Sequence, residues 1–494
     1  MGDPIKKFES EARVAALKPA ETLKRLGLSG SMSFCDIGSG TGLFTMPAAE
    51  LTEGQILAVD VSEEMRQIIS GKVESAGLSR VKILDDISKA PNDSADLAFM
   101  CTVMHELDDR PGMMAEISRV LKPGGKLGII EFKKNGSQMG PPAHERISGE
   151  EMNEEAGAAG YFLAESFDMG ENLYCHVYRK AVAYFAGGCF WGMEKLMSSI
   201  PGVITAESGY ANGNVEAPTY ERVCQGDTMY RETVRVTYDP TKVSLRTLAF
   251  AFFSVIDPTL TNRQGNDIGT QYQTGLYYED KISGGVIRSV AEVIKKRYDK
   301  FNTEIKPLKN FYKAEEYHQK YLVKNPGGYC HLNKRDFDRV AAMAVDAGAY
   351  ERPSDEEIRQ RLTPLQYEVT QNQGTDPAFR NEYWDNFEDG IYVDIVTGEP
   401  LFSSKDKFQS SCGWPAFQKP IDANTVVKRM DRSYGMVRTE VSSRTGATHL
   451  GHVFDGDGES PNGVRYCIDS ASVRFVPKAK MEEEGYGYLI GIFE

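Results

Sequence analysis

The chain has 494 residues, 41% of them hydrophobic and 26% charged, with a formal net charge of −14. Length and composition are those of ordinary globular protein in about three domains of roughly 150 residues, and no apolar run nears the ~20 residues that a membrane helix needs. The net charge is −8 over residues 1–180, +2 over 181–350 and −8 over 351–494, which excludes the strongly basic face of a protein that tracks nucleic-acid phosphates. Met1–Lys7 has no apolar stretch behind its lysines, so no secretory signal is expected and a cytoplasmic location is. Eight cysteines without a C-x-x-C pair predict free thiols, any pairing of them being transient and catalytic rather than structural.

In the first third, Ser33–Ile37 reads as a strand that runs into Gly38-Ser39-Gly40-Thr41-Gly42, with a helix from Leu43 to about Leu51. Glycines there let the backbone approach a ligand at the carboxyl edge of a parallel sheet. Ile56–Asp60 is the next strand and ends in an acid, which can accept both hydroxyls of a ribose. Val81–Asp86, Ala95–Met100 and the segment entered by Val120–Leu127 read as three further strands, Tyr161–Arg179 as closing strands, and Pro141–His144 as a loop. His105 and Glu106 read either as residues near an acceptor or as a solvated helix start. From about Thr22 to Phe132, this order, with the mark Leu121-Lys122-Pro123-Gly124-Gly125, resembles the class I S-adenosylmethionine-dependent methyltransferases. The resemblance implies an α/β Rossmann-like domain that binds S-adenosylmethionine. Gly38, Gly40 and Gly42 would cradle its methionine part, Asp60 the ribose and Asp86 the adenine amine, with Asp36 close by. The turn G-S-G-T-G disfavours a nicotinamide site, and a scaffold that binds nothing stays open.

The middle third opens on the apolar run Ala181–Ala186, a buried strand punctuated by Gly187-Gly188, then Cys189, then an amphipathic helix over Met193–Ile200. A cysteine at a strand-to-helix junction meets the helix N-terminus, which favours a thiolate; the other reading is a small core residue. Gly187–Glu194 (G-G-C-F-W-G-M-E), Gly209–Gly213, Gln264–Tyr272 and Asn325–His331 together resemble the peptide methionine-S-sulfoxide reductases over nearly all of 181–335. That resemblance implies an α+β, ferredoxin-like domain in which Cys189 attacks the sulfoxide sulfur. Glu232, held protonated, would give the oxygen its proton, Tyr220 and Tyr272 would hydrogen-bond that oxygen, and Asp267 would fix the site. Phe190 and Trp191 would hold the S-methyl group, and Cys330 would be the resolving thiol, leaving Cys224 for the core. The family has G-H-A-E where this chain has Met229-Tyr230-Arg231-Glu232.

In the last third, Arg352–Glu357 begins a capped helix after a linker, and short alternating runs such as Val426–Lys428 and Val473–Val476 make the remainder mostly β. His449 and His452 with Cys467 suggest a zinc set, which the lack of a C-x-x-C and of a fourth ligand at usual spacing disfavours. Gly413-Trp414-Pro415-Ala416-Phe417, His449–Phe454 and Arg465–Asp469 resemble the methionine-R-sulfoxide reductases over 354–477. This implies a mainly-β domain with Cys467 as nucleophile, Arg465 as its partner, and His449 and His452 as the polarising or proton-donating pair. Trp414 would hold the methyl group and Cys412 would resolve the sulfenic acid. Many relatives carry two C-x-x-C zinc pairs; here the corresponding stretches are Val393–Gly398 and Ser442–Thr445, so no metal is expected. Asp469 stands where the family has Asn. An ionised carboxylate on the face of Cys467 is expected to raise its pKa, unless it pairs with Arg465 or lies in solvent.

These readings divide the chain into a methyltransferase-like domain (1–180), an S-epimer reductase (181–345) and an R-epimer reductase (350–494). The implied function is repair of both epimers of methionine sulfoxide, free or in oxidised proteins, through cysteine sulfenic acid and an intramolecular disulfide, with thioredoxin as reductant and neither nucleic acid nor membrane as partner. Such repair takes one enzyme per epimer. Two alternatives are a small-molecule methyltransferase protected by attached reductases, and a first domain that only senses its cofactor.

Overall fold

The structure is a computed structural model and describes residues 8–135, 140–432 and 435–494. Met1–Lys7, the stretch examined for a secretory signal, lie outside them. Contacts divide the chain into two compact units, residues 1–182 with 237–242, and 183–236 with 243–494.

The first unit is built on a seven-stranded sheet. Its strands are β1 (Phe34–Ile37), β2 (Ile56–Val59), β3 (Val81–Leu84), β4 (Ala95–Cys101), β5 (Leu121–Phe132), β6 (Tyr161–Met169) and β7 (Leu173–Lys180), in the order 3-2-1-4-5-7-6. β3 to β5 run parallel and β7 and β6 antiparallel. The central parallel strands β1 and β2 are buried along their whole length because both faces are covered. Along β1 and β2, Phe34, Ile56 and Ala58 enter one core layer while Cys35, Ile37, Leu57 and Val59 enter the other. The reversal between β1 and β4 opens a crevice at the carboxyl ends of these strands, where ligands of such sheets bind.

The rest of the chain carries three further sheets and a short strand pair. β8 (Val182–Ala186), β9 (Val203–Ala211), β10 (Arg231–Tyr238), β13 (Gly275–Tyr278), β14 (Glu304–Pro307) and β15 (Phe311–Lys313) form a mixed sheet in the order 14-13-8-10-9-15; the short pair β11 (Arg263–Gln264) and β12 (Asp267–Ile268) lies apart from it. The following segment carries β16 (Gly390–Asp394), β17 (Pro400–Ser403) and β24 (Val473–Pro477) in one small sheet. A six-stranded sheet joins β18 (Lys407–Phe408), β19 (Ala416–Phe417), β23 (Val464–Ile468), β22 (His449–Asp455), β21 (Arg438–Ser443) and β20 (Val426–Asp431), in that order. The expected capped helix is present over Asp355–Arg361, with Ser354 and Glu357 capping each other.

Arg297, buried, donates to the carbonyls of Ser443 (2.8 Å) and Arg444 (2.5 Å), tying the mixed sheet's last long helix to the β segment. Around Asp394–Glu399 and Ser443–Thr445 stands a buried polar knot. Asp394 accepts from Ser443 (2.8 Å) and Thr397 (2.9 Å), while Glu399 accepts from the Arg444 guanidinium (2.8 Å) and from the Thr445 main chain (3.0 Å) and hydroxyl (2.8 Å). A buried ion pair broken from one side costs about 3–5 kcal/mol. Among the described residues, no helix is long and apolar enough to cross a membrane.

Candidate functional sites

In the first unit the glycine turn lies at the carboxyl end of β1. Gly38, Gly40 and Gly42 have φ of 73°, 54° and 89°, a backbone that suits residues without Cβ. Asp60, past the end of β2, accepts from the main-chain N–H of Gly40 (2.7 Å) and Ser62 (2.9 Å), so its carboxylate faces the turn. Asp36 is buried under the turn, accepts from the Thr45 hydroxyl (2.6 Å), and is pushed up to about 7 chiefly by burial. Asp86 is exposed and caps the short helix at Ile87 through Ser88. The hydroxyls of Ser39 and Thr41 are buried without a partner, and a Cβ on Gly40 would meet nothing within 4 Å. Unpaired donors beside open space at a strand's carboxyl end suit a polar ligand such as S-adenosylmethionine. His105 is not a solvated helix start. It is buried, its Nδ1 lies 2.8 Å from the fully buried Glu131 carboxylate, and Glu106 alone faces solvent.

In the second unit β8 leads through Gly187 and Gly188 (φ 86°) to Cys189, the N-cap of the helix Phe190–Ser198, which starts three residues earlier than expected. Cys189 is buried, and burial, reinforced by Glu232, pushes its thiol up. The Trp191 main-chain N–H at the helix N-terminus works the other way, more weakly than burial. Glu232, on β10, is 1% exposed, accepts from the Phe190 N–H (3.1 Å) and is pushed up to about 8 by burial. Burial, and after it Glu232, also raises the phenols of Tyr220 and Tyr272, which places both around the same carboxyl. The departures at Met229–Arg231 do not disturb it. Tyr230 packs against Gly213 and donates to the Val215 carbonyl (2.5 Å), and Arg231 pairs with Glu304 (3.2 Å).

Cys330 lies against the first turn of the Cys189 helix, since a Cβ on Gly192 would sit 3.1 Å from its sulfur. Asp267 lies 3.7 Å from His331, the residue after Cys330. Cys224 is not in the core; it is exposed. Trp191 stacks on Tyr321 (3.8 Å) and donates to Nδ1 of the buried His318 (3.0 Å), whose ring also lies 5.0 Å from that of Phe190. His318 and Glu315, which accepts from the Tyr220 main chain (2.8 Å) and the Tyr210 hydroxyl (2.7 Å), had no place among the expected residues. Their one signal was a histidine inside the otherwise solvated run Glu315–Lys320.

The third site lies on the six-stranded sheet. Register places Arg429, Glu440, His452, Cys467 and Ala416 in one row across β20, β21, β22, β23 and β19. Sγ of Cys467 is 3.5 Å from Sγ of Cys412. The two thiols titrate as a pair: the remaining S–H donates to the thiolate formed first, and Arg465 lies beside them, so one proton leaves early and the second late. Arg465 acts on both thiols, and its Nε donates to Asp457 (2.7 Å). His449 meets Glu440 (2.7 Å), His452 meets Asp431 (2.9 Å), and their rings are 5.6 Å apart. Trp414 donates through Nε1 to Asp376, at both its carboxylate (2.8 Å) and its carbonyl (3.0 Å). Asp469 does not pair with Arg465 and is not in solvent. It is 4% exposed and faces Asp376, whose N–H it accepts (2.9 Å). Asp431 and Glu440 reach the histidines through the pairing of β20, β21 and β22, while Asp376 and Asp457 are brought in by loops.

Residues 35–129 match the family model of a methyltransferase domain, 181–346 that of peptide methionine sulfoxide reductase and 362–477 that of the SelR domain. Among solved structures, the chain is similar to Mxr1 of Saccharomyces cerevisiae in reduced form, at 40% identity over 30% of this chain and 87% of that one, TM-score 0.29. It is similar to methionine sulfoxide reductase A of Corynebacterium diphtheriae at 37% identity, over 30% and 76% of the two chains, TM-score 0.28. It is also similar to a SAM-dependent methyltransferase from Aquifex aeolicus at 30% identity, over 36% and 98%, TM-score 0.34.

Proposed function

This chain belongs to the methionine sulfoxide reductases, joining a methyltransferase domain to one reductase domain for each epimer of the sulfoxide, and we propose that it repairs oxidised methionine at two separate thiol sites that draw electrons from thioredoxin. The observation that carries this reading is that each expected nucleophile has its own second thiol, Cys330 packed against the Cys189 helix and Cys412 3.5 Å from Cys467. We take the domains as residues 1–180, 181–345 and 350–494 and the compartment as cytoplasmic.

At the S site the sulfoxide oxygen sits between Glu232, Tyr220 and Tyr272, with the methyl group against Phe190 and Trp191. As Cys189 sulfur bonds to the oxygen-bearing centre, Glu232 gives its proton to the oxide and recovers one from the thiol. The oxygen then passes to Cys189 sulfur as the substrate's sulfur–oxygen bond and the new sulfur–sulfur bond both break, so methionine leaves and Cys189 is left as sulfenic acid. Cys330 then displaces that oxygen as water, forming a disulfide that thioredoxin reduces. Asp267, beside His331, sets where Cys330 waits. At the R site Cys467 attacks, His449 and His452 supply the proton, Trp414 holds the methyl group, and Cys412 resolves. Arg465 acts on both thiols, favouring a thiolate. No step calls for a metal. Substrates are free and protein-bound methionine sulfoxide.

In the first domain Gly38, Gly40, Gly42, Ser39 and Thr41 hold the methionine part of S-adenosylmethionine, Asp60 its ribose and Asp86 its adenine, with Asp36 beneath. The bound sulfonium supplies an electrophilic methyl group. His105, oriented by Glu131, faces the acceptor side. Calorimetry on the full chain with S-adenosylmethionine is expected to show one site, weakened at least about tenfold by Asp60→Ala, the loss of a charge-assisted contact. Absence of heat from folded protein would leave the first domain a scaffold.

A further inference from the structure

Two carboxyl groups meet under the tryptophan of the R site. Asp376 lies in the loop that follows helix Pro364–Asn372, and Asp469 follows β23. They are 2% and 4% exposed. Both carboxylate oxygens of Asp376 accept N–H groups, Oδ1 from Trp414 Nε1 (2.8 Å) and Oδ2 from the Ala471 main chain (2.8 Å). One oxygen of Asp469 accepts the Asp376 N–H (2.9 Å), and its carboxyl is within hydrogen-bonding reach of the Asp376 carboxyl. Two anions cannot stand so close in a site that excludes water, so one proton must lie between them. Asp376 accepts an N–H at each oxygen and is the better anion. The proton therefore sits on Asp469.

We propose that Asp376 and Asp469 share one proton and act as a unit that positions Trp414, with Asp469 as the neutral, donating partner. A protonated carboxyl donates one hydrogen bond and accepts another, which is what an amide does. Asp469 thus stands in for the Asn of the family without placing a charge beside Cys467. Burial, and next Asp376, hold the Asp469 proton to higher pH than a free carboxyl would keep it. The other titratable groups on the elements packed around it are engaged elsewhere: His449 with Glu440, His452 with Asp431, and Arg465 with Asp457 and Cys412, which itself adjoins Cys467. The main-chain neighbours Leu450, whose carbonyl takes the Asp469 N–H (2.8 Å), and Ser472 are neutral. When alkaline pH removes the shared proton, two carboxylates repel beneath Trp414 and the methyl-binding wall loosens.

The inference rests on the R-epimer reading of this site. The test is kcat and KM for the R epimer of a peptide methionine sulfoxide against pH, on the full chain with a dithiol reductant. S-epimer turnover of the same preparations controls for folding. In the unaltered protein KM should rise on the alkaline side with kcat changing less. Asp469→Asn should keep KM within about twofold at neutral pH and hold it flat where the unaltered protein's rises. Asp469→Leu, which removes the donor and strands Asp376, should raise KM about tenfold, the worth of one hydrogen bond to a charged group. A KM that does not rise with pH in the unaltered protein, or that rises equally in Asp469→Asn, overturns the shared proton. So does a large neutral-pH defect in Asp469→Asn. No R-epimer turnover in the unaltered protein would instead sink the reading of the site itself.

Discussion

Cys189→Ser is expected to abolish reduction of the S epimer and leave R-epimer turnover unchanged, and Cys467→Ser to do the reverse. The two sulfurs sit on different frameworks, one capping a helix off the mixed sheet and the other within β23 of the six-stranded sheet. Each has its own second thiol at hand, so neither site needs the other to complete a cycle. A serine hydroxyl, far from its pKa and without the polarisability of sulfur, does not attack a sulfoxide. Chiral separation of a reduced dabsyl-methionine sulfoxide mixture reads both activities at once. Loss of both epimers from one substitution would show that the sites are coupled.

Glu232→Gln should lower kcat/KM for the S epimer by about 10²–10⁴, the usual worth of a positioned general acid. Gln still accepts the Phe190 N–H, so the helix start stays in place while the proton is lost. The sign of the pH dependence follows from the raised pKa. Glu232 is pushed up to about 8 by burial; its acid form, the one that gives a proton to the oxide, prevails below that value. S-epimer activity should therefore fall as pH climbs through it, and the residual activity of Glu232→Gln should lack that limb. A variant that keeps most of its activity, or the same alkaline limb, would remove Glu232 from the chemistry.

Most of the architecture was legible in the chain because it is local. Apolar four-residue runs ending in Gly38 and Asp60 give parallel strands covered on both faces, and the run before Gly187 gives a buried strand feeding a helix. The helix start at Phe190 rather than Met193 was missed, since Phe190 and Trp191 read as pocket walls and not as a first turn. What the sequence hid is what long-range pairing assembles. Nothing near Cys467 announces Asp376, 91 residues earlier in number, or the Glu440 and Asp431 that orient His449 and His452. Periodicity placed Asp469 on the face of Cys467, and with no partner in view an ionised carboxylate was the natural inference. The fold supplies a second carboxyl, Asp376, as that partner. Cys224 failed for the opposite reason: a lone cysteine defaults to the core, but this one ends a five-residue helix at the rim of the S site.

The most direct test of two independent sites in one chain is a count. Fully reduced protein, freed of reductant, is mixed with an excess of both epimers of a peptide methionine sulfoxide, and the methionine formed per chain is resolved by epimer consumed. Two separate thiol pairs predict one S and one R equivalent per chain, with Cys189–Cys330 and Cys412–Cys467 recovered as disulfides. A single equivalent in total, or two from one epimer alone, would contradict that account.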